Sequence, residues 1–416
     1  MKSRYVWAGI ALALGGTAAG GALLTGDADA SVPPYRFKIS RASDPDAEIK
    51  FLEERVRRND GALDRAELAA AYAGKGKRTG HPAWYVKAEE TARQSLALLP
   101  APNEGARIVL ARVAEARHDF AESLRLAAEI LSARPNHNDA LALAVTSNLA
   151  LGRVDEASIA AERLVELRPI LFHYTLRALT RAAAGRDEEA VEDFVRGIRR
   201  EDVGEHDVSA WARALLGRAH LRRGRLKPAK RLLEEALRIQ SGNPLILHLL
   251  GELHEARGDK AEAERHYLWA SSEGHDPTAL ISLARVKGSE ALYEEAESQI
   301  RKESEANRFG HRGALARLLL ERGRAQDLPE ALTLAGEEAR SRKNPETLET
   351  LAWALSRAER WVEARRAVQQ ALRPGVRDAA LYGRAARIEE ALGHRQSGRL
   401  YAQLARQTNP FSEITP

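Results

Sequence analysis

The sequence contains no cysteine, a single methionine and few aromatic residues. The lack of cysteine excludes disulfide bonds, thiolate metal ligands and a cysteine nucleophile, so folding is independent of the redox state of the compartment. Aromatic residues make up 5% of the chain, whereas hydrophobic residues as a whole make up 44%. The apolar positions are mostly Ala and Leu, which favour helices over the β-branched and aromatic core of a sheet. We therefore expect an all-α protein with almost no β-structure.

The charge balance has no strong excess of either sign. The chain carries 64 Lys and Arg against 59 Asp and Glu, a formal net charge of +5, which is only a weak indication of an anionic partner. The densest basic run extends from Arg196 to Arg231. An ordinary solvated face is its main interpretation, and an acidic protein or anionic envelope polymer as partner stays open. Nucleic acid would require stacking aromatic residues between the basic ones, and only Trp211 qualifies, so we expect no nucleic-acid partner.

The N-terminal segment indicates export. Lys2 and Arg4 precede the uncharged residues 6–25, and Ala28-Asp29-Ala30 has the small-x-small pattern of a signal-peptidase site. Two interpretations stay open for residues 1–30: a signal peptide cleaved after Ala30, or a retained signal anchor, because about 20 apolar residues can span a bilayer. In both cases the rest of the chain is expected outside the cytoplasm, periplasmic or secreted, with membrane contact only through residues 6–25. Residues 31–46 are expected to form a linker.

The strongest pattern is a self-similarity of 34 residues between segments 210–243 and 244–277. Leu216-Gly217, His220, Gly224, Ala229, Leu233 and Ala236 recur as Leu250-Gly251, His254, Gly258, Ala263, Tyr267 and Ala270. Helical amphipathicity has a period of 3.6 and does not account for this agreement. The pattern predicts a helix-turn-helix unit in which Gly217 and Gly251 let two helices approach closely, while Gly224 and Gly258 end the first helix. Such units must stack to cover their apolar surfaces.

With these residues the sequence resembles the tetratricopeptide repeat family, in the form of a bacterial exported protein. The resemblance implies an all-α, right-handed superhelical solenoid of about nine repeats over residues 47–410, followed by a tail, 411–416. The approximate repeats are 60–103, 104–137, 138–171, 171–204, 210–243, 244–277, 278–309, 310–344, 345–378 and 379–411. Two of them are expected to be interrupted, the first by an enlarged turn from Gly74 to Trp84 and the other by a longer turn containing Pro329.

No motif for catalysis or for cofactor binding was found. His220 and His254 recur at equivalent places, and we interpret them as half-buried substitutes for an aromatic residue rather than as ligands of a shared metal. Gly74-Lys75-Gly76-Lys77 lacks the Ser or Thr of a phosphate-binding loop and the preceding strand, so it is predicted to be a flexible turn. We expect no enzyme activity, no cofactor and no metal.

The resemblance also implies a concave wall lined by the first helix of each repeat, where peptides or partner helices bind. Trp and Arg often dominate the energetics of such interfaces. Counting along the first helices gives eight candidate partner-binding residues: Arg112, Trp211, Arg218, Arg222, His248, Glu252, Trp353 and Arg387. The expected function is an exported scaffold or assembly factor that binds other proteins. The alternative is a substrate-recognition subunit of a separately encoded envelope enzyme or transporter.

Overall fold

A computed structural model describes residues 32–38, 45–273, 277–307 and 312–411 of the chain. The predicted signal or anchor segment, residues 1–30, lies outside the described residues, as does the predicted tail apart from Phe411. Two units are distinguished, residues 1–34 and 35–416, and the features below belong to the second. Among the described residues, no helix is both long and apolar enough to cross a membrane.

The described part of the second unit consists of 21 α-helices without a strand. They are α1 (Pro45–Arg58), α2 (Ala62–Thr79), α3 (Pro82–Leu98), α4 (Glu104–Ala116), α5 (Phe120–Ala133), α6 (Asn138–Ala150), α7 (Val154–Leu167), α8 (Leu171–Ala183), α9 (Asp187–Ile198), α10 (His206–Leu221), α11 (Leu226–Ile239), α12 (Pro244–Ala256), α13 (Lys260–Glu273), α14 (Thr278–Lys287), α15 (Glu290–Asn307), α16 (Arg312–Arg322), α17 (Leu328–Ser341), α18 (Pro345–Arg357), α19 (Trp361–Leu372), α20 (Ala379–Ala391) and α21 (Arg395–Thr408).

Helices α2 to α21 form ten consecutive hairpins in the described ranges, each stacked on the next. The first helices of neighbouring hairpins also contact one another, for example α4 with α6 and α18 with α20. This arrangement confirms the all-α superhelical solenoid, for which about nine repeats in ten approximate segments are predicted. The stacking buries the apolar face that each hairpin would expose alone.

Small residues set the spacing between the two helices of a hairpin. Ala229 and Ala263 on the second helices are fully buried, as the 34-residue period predicted. On α12, a Cβ added to Gly251 would lie 2.4 Å from Cε1 of Tyr267. The helices therefore pack more closely at this point than any side chain larger than glycine allows.

The predicted turn from Gly74 to Trp84 is wrong. Helix α2 continues through Gly74 and Gly76 to Thr79 and ends at Gly80, whose φ is 68°. Space is short at Gly76, where an added Cβ would be 3.0 Å from the ring of Tyr85 on α3. Lys75, assigned to the tip of a flexible turn, instead lies 3.8 Å from the ring centroid of Trp84.

The longer turn predicted in segment 310–344 is present between α16 and α17. It includes a short 3-10 helix, Ala325–Asp327. Pro329 lies beyond this turn, in the first turn of α17, where its missing N–H leaves no hydrogen bond unmade.

Successive superhelical turns touch each other. The N–H of Lys343 donates to the carbonyl oxygen of Ala150 at 2.7 Å, and these residues are 193 positions apart. A Cβ on Gly185 would lie only 2.0 Å from the carbonyl oxygen of Gly375, 190 positions further on. Since both contacts join the turn of an early hairpin to a loop that follows a late one, the solenoid closes on itself after about 190 residues.

Part of the predicted linker packs against the solenoid. The N–H of Tyr35 donates to Oε1 of Glu235 at 2.7 Å, and Nη2 of Arg238 donates to the carbonyl oxygen of Tyr35 at 3.0 Å. The Tyr35 ring is buried and lies 5.9 Å from the guanidinium carbon of Arg213. The described residues 35–38 thus lie on α11, five hairpins along the chain from α1.

Candidate partner-binding site in the superhelix lumen

The first helices of the hairpins surround a common interior, which we call the lumen. Arg218 and Arg222 on α10 both donate hydrogen bonds to Oε1 of Glu346 on α18, four hairpins further along the chain. Their side chains are 34% and 43% exposed, and that of Glu346 is 46% exposed. All three side chains therefore keep contact with solvent while they bridge the two first helices α10 and α18.

Paired charges fill one part of the lumen, which we call its C-terminal half. It is lined by Arg218 and Arg222 at the end of α10 and by the first helices from α12 onwards. The charge of Arg218, and then that of Arg222, holds the pKa of the Glu346 carboxyl far below its usual range, against the opposing effect of burial. Burial also raises the pKa of Glu252, but the hydrogen bond and charge of His248 and the two arginines outweigh it and lower that pKa to about 2. His248 Nε2 lies 3.2 Å from Oε1 of Glu252. Both carboxylates are therefore ionised at neutral pH.

The same pairing continues along α12, α14 and α16. Glu255 accepts hydrogen bonds from Tyr267 Oη at 2.8 Å and from Arg285 Nη2 at 2.9 Å. Glu321 accepts one from Arg317 Nε at 2.8 Å. Each of these lumen arginines thus contacts a carboxylate, which leaves little uncompensated charge in this half.

Trp353 and Arg387 lie on α18 and α20. The ring centroid of Trp353 is 4.9 Å from the guanidinium carbon of Arg384, which also donates from Nε to Glu349 at 3.1 Å. The Trp353 indole N–H is buried without a hydrogen-bond partner among the described residues. Burial and the nearby charge of Arg384 lower the pKa of Arg387. These two candidates are therefore partly covered by the solenoid itself.

The remaining part of the lumen, its N-terminal half, is lined by α2, α4, α8 and the start of α10. Its charged side chains are less completely paired with opposite charges. Arg112 on α4 is exposed and donates to Oδ1 of Asp139 at 3.1 Å. Lys77 on α2 forms no ion pair within the described part of the chain, although Glu115 and Asp207 are close enough to affect its pKa. The surrounding protein and the charge of Arg112 lower the pKa of Lys77, against the smaller opposing effects of the two carboxylates. Lys77 is nevertheless an exposed residue, so its ammonium group can be reached by an anion.

Glu115 lies beside Lys77 and Arg112. Burial raises its pKa, while hydrogen bonds from Thr146 Oγ1 and from Ser147 Oγ, the latter at 3.2 Å, act in the opposite direction. Burial is thus the largest influence on the Glu115 carboxyl, and it opposes ionisation there.

Trp211 provides an apolar surface at the start of α10. Its ring centroid lies 6.1 Å from that of Phe172 on α8, and both side chains are only partly buried. Asp207, one helical turn before Trp211, is one of the carboxylates that affect Lys77. Charged groups and an aromatic pair thus share this half of the lumen.

The structure brings together four of the eight predicted residues, Arg218, Arg222, His248 and Glu252, and separates the others. Arg112 and Trp211 lie in the N-terminal half, and Trp353 and Arg387 lie against Arg384. The role of all eight in binding stays a prediction.

Sequence reasoning missed Lys77 and Glu346. Lys77 was assigned to the turn that the structure replaces by helix, so its place on a first helix was not considered. Glu346 follows Asn344-Pro345 and lies in the first turn of α18, a position that a helix start at Pro345 would have indicated. Its bond to α10 has no sequence signal, because the two helices are 128 residues apart.

The basic run from Arg196 to Arg231 is not one solvated face. Arg213 is fully buried and donates from Nη1 to Oε2 of Glu201 at 2.8 Å and from Nη2 to Oε1 at 3.2 Å. Ser209 Oγ donates to the same carboxylate at 2.7 Å. Arg213 thus occupies a core position of α10, and its bidentate carboxylate partner makes the burial tolerable.

No protein-family model matches the chain, and no curated protein matches it significantly. A solved structure of a human IFIT1 dimer with PPP-AAAA has a TM-score of 0.47 and 15% identity, covering 87% of this chain and 94% of that one. The APC/C hetero-tetramer Cut9-Hcn1 gives 0.41 and 11%, covering 89% and 91%. PilW, a type IV pilus biogenesis factor, gives 0.39 and 15%, covering 49% and 94%. At such low identity these likenesses concern the arrangement of helices and not what each protein binds.

Proposed function

We propose that the chain is an exported, non-catalytic scaffold of the tetratricopeptide-repeat type that binds acidic segments of partner proteins in the N-terminal half of the lumen. The observation that carries this proposal is Lys77, an exposed residue of the first helix α2 that lacks an ion-pair partner in the described ranges, while Arg112 and the Trp211–Phe172 pair lie in the same half. A carboxylate-bearing segment would supply the missing counter-charge, and its apolar residues would cover the aromatic surface.

The C-terminal half suits a different role. Arg218 and Arg222 already bind Glu346, so the positive charge in this half is neutralised by a carboxylate of the chain itself. We assign it to fixing the curvature of the solenoid, so that the first helices of the N-terminal half keep their spacing. The contacts between superhelical turns favour entry of a partner from an end of the lumen rather than through its side.

Export is the second part of the proposal and rests on residues 1–30 of the sequence. Intact-mass measurement of the chain recovered from envelope and cytoplasmic fractions tests it directly. A mass that starts after Ala30 in the soluble envelope fraction supports a cleaved signal peptide, and a full-length membrane-bound chain supports an anchor. Recovery of the full-length chain only in the cytoplasmic fraction would contradict the export proposal.

Crosslinking in cells followed by affinity capture and mass spectrometry tests the binding proposal. Lys77→Glu and Trp211→Ala are expected to release partners that the unaltered chain retains. Lys227→Glu is the matched charge-reversal control, because Lys227 is exposed on a second helix, α11, and has no ion pair in the described part of the chain. Equal retention by all three variants would place binding elsewhere, and co-purification with a single enzyme or transporter would favour the recognition-subunit alternative.

A further inference from the structure

The hairpin formed by α12 and α13 carries a cluster of metal-ligating side chains outside the site described above. His254 lies near the end of α12, and Glu262 and His266 lie on one face of α13. Each offers one ligand atom, and the three atoms all lie within 4.8 Å of one another. The two imidazole rings are stacked, with their centroids 5.3 Å apart.

His266 is buried and His254 is partly buried, and both lack part of their hydrogen bonds. His266 is only 6% exposed, and neither its Nδ1 nor that of His254 has a hydrogen-bond partner among the described residues. A buried polar atom left unpaired is destabilising, so these nitrogens need a further partner.

We propose that His254, Glu262 and His266 bind a divalent transition-metal ion of the Zn²⁺ type, which joins the two helices of this hairpin. Two imidazoles and a carboxylate are a ligand set that Zn²⁺ accepts, with a fourth position for water or another oxygen. Asp259 offers a further oxygen ligand, since its Oδ2 lies 3.5 Å from Nδ1 of His254.

The ligands must approach one another for a metal to bind. Tetrahedral coordination at zinc distances places ligand atoms roughly 3.4 Å apart, against the 4.8 Å that bounds this cluster. Glu262 Oε2 lies 3.9 Å from His266 Nε2 and accepts a hydrogen bond from Arg265 Nε at 3.0 Å. The Glu262 side chain is 39% exposed and makes the adjustment by rotating away from Arg265.

This site differs from a metal shared between His220 and His254, which the sequence does not favour. His220 and His254 occupy equivalent places in neighbouring hairpins, whereas the other proposed ligands, Glu262 and His266, belong to the same hairpin as His254. In the preceding hairpin, Arg225 and Leu232 stand where Asp259 and His266 stand here. His220 therefore provides a matched control: it occupies the equivalent position in its hairpin but lacks the neighbouring ligands.

Metal titration of the purified full chain, without a polyhistidine tag and after treatment with a chelator, tests the proposal. Calorimetry with ZnCl₂ is expected to give one bound ion per chain, and CoCl₂ is expected to give the visible absorption bands of a tetrahedral site. His254→Asn and Glu262→Gln are expected to weaken binding tenfold or more, while His220→Asn leaves it unchanged. Glu262→Gln alters an exposed side chain and keeps the test decisive if His254→Asn does not fold.

Three outcomes overturn the assignment. One is the absence of saturable binding of either ion, and another is equal affinity in the unaltered chain, His254→Asn and Glu262→Gln. The third is loss of binding in His220→Asn but not in Glu262→Gln, which would assign the ion to other histidines among the twelve of the chain.

Discussion

Two residues with side chains hold the left-handed backbone conformation that glycine holds at the equivalent turns. His118 has a φ of 59° and Glu359 a φ of 56°, and each precedes by 34 positions a glycine with positive φ, Gly152 or Gly393. This conformation costs a residue with a β-carbon about 1–2 kcal/mol. The 34-residue period of the sequence predicts that these two turns adopt the left-handed conformation, although neither has glycine at this position.

Glu359→Gly is expected to stabilise the chain. Glu359 is exposed and makes no side-chain hydrogen bond or ion pair with other described residues, so the change relieves the strained conformation without losing such a bond. The extra chain entropy of glycine offsets about 0.5–1 kcal/mol of the gain, which leaves roughly 0.5–1 kcal/mol. A higher urea midpoint in chemical denaturation checks the expectation.

His118→Gly, at the equivalent turn, is the informative contrast. Nδ1 of His118 lies 3.0 Å from Oε1 of Glu338, which is almost fully buried. Removing the imidazole leaves this carboxylate with weaker compensation, so we expect a net loss of about 1–3 kcal/mol despite the relieved backbone. A gain equal to that of Glu359→Gly would mean that the His118–Glu338 contact does not contribute to stability.

The carboxyl of Glu252 makes stability depend on acid pH. Its pKa of about 2 in the folded chain lies below the ordinary value of 4.5, so the folded state favours the ionised form. Its contribution is complete above about pH 4.5 and is lost as the pH falls towards about 2. Because the side chain is 44% exposed, solvent screening keeps this contribution small.

Glu252→Gln is therefore expected to flatten the acid limb of the stability profile. Urea midpoints measured from about pH 6 down to about pH 3 should converge for the variant and the unaltered chain as the pH falls. Glu156→Gln, at an exposed carboxylate without an ion pair among the described residues, is the control. Parallel profiles for Glu252→Gln and the unaltered chain would contradict the linkage.

At the scale of the helix pair, the glycine of α12 tests how closely two helices pack. The Cβ of Gly251→Ala would meet the fully buried Tyr267 ring at 2.4 Å, and Tyr267 is also fixed by its bond to Glu255. Overpacking of this kind costs about 1–3 kcal/mol. Gly336→Ala in α17, where no atom lies within 4 Å of the new Cβ, should instead gain about 0.5–1 kcal/mol from helix propensity. Thermal midpoints that move in opposite directions confirm the close approach, and equal gains would contradict it.

Most helices could be predicted from the sequence because the hairpin is a local structure. Its glycines, alanines and leucines report contacts within about 34 residues, and these contacts decide where helices α10 to α13 begin and end. The prediction failed at α2, where Gly74 and Gly76 were read as turn residues. Glycine serves both purposes, and at Gly76 the position of Tyr85 on the neighbouring helix shows that the glycine allows close packing.

At the scale of the whole molecule, the lumen was predictable in part. The choice of first-helix residues placed Arg218 and Glu252 on the inner wall, because the face of a helix follows from its period. The sequence does not predict which of these charged residues are neutralised by an ion pair, because Glu346, the partner of Arg218, lies four hairpins away. Repeat patterns describe neighbours, and closure of the superhelix depends on small rotations summed over many hairpins.

Contact between superhelical turns leads to the last prediction. Gly185 and Gly393 have φ values of 73° and 81° at equivalent hairpin turns, so alanine is strained by about 1–2 kcal/mol at either position. At Gly393 nothing lies within 4 Å of the added Cβ, whereas at Gly185 the carbonyl oxygen of Gly375 lies at 2.0 Å. Gly185→Ala must therefore also separate the two superhelical turns, and we expect it to cost about 1–3 kcal/mol more than Gly393→Ala.

The two variants are compared by thermal midpoint and by small-angle X-ray scattering. Gly393→Ala should lower the midpoint slightly and leave the radius of gyration unchanged, while Gly185→Ala lowers it further and enlarges the molecule. Lys343, which bonds to Ala150 at a neighbouring contact, would lose part of its protection from amide hydrogen exchange in Gly185→Ala only. Equal effects of both substitutions would mean that the superhelical turns are apart in solution and that the lumen is open along its side.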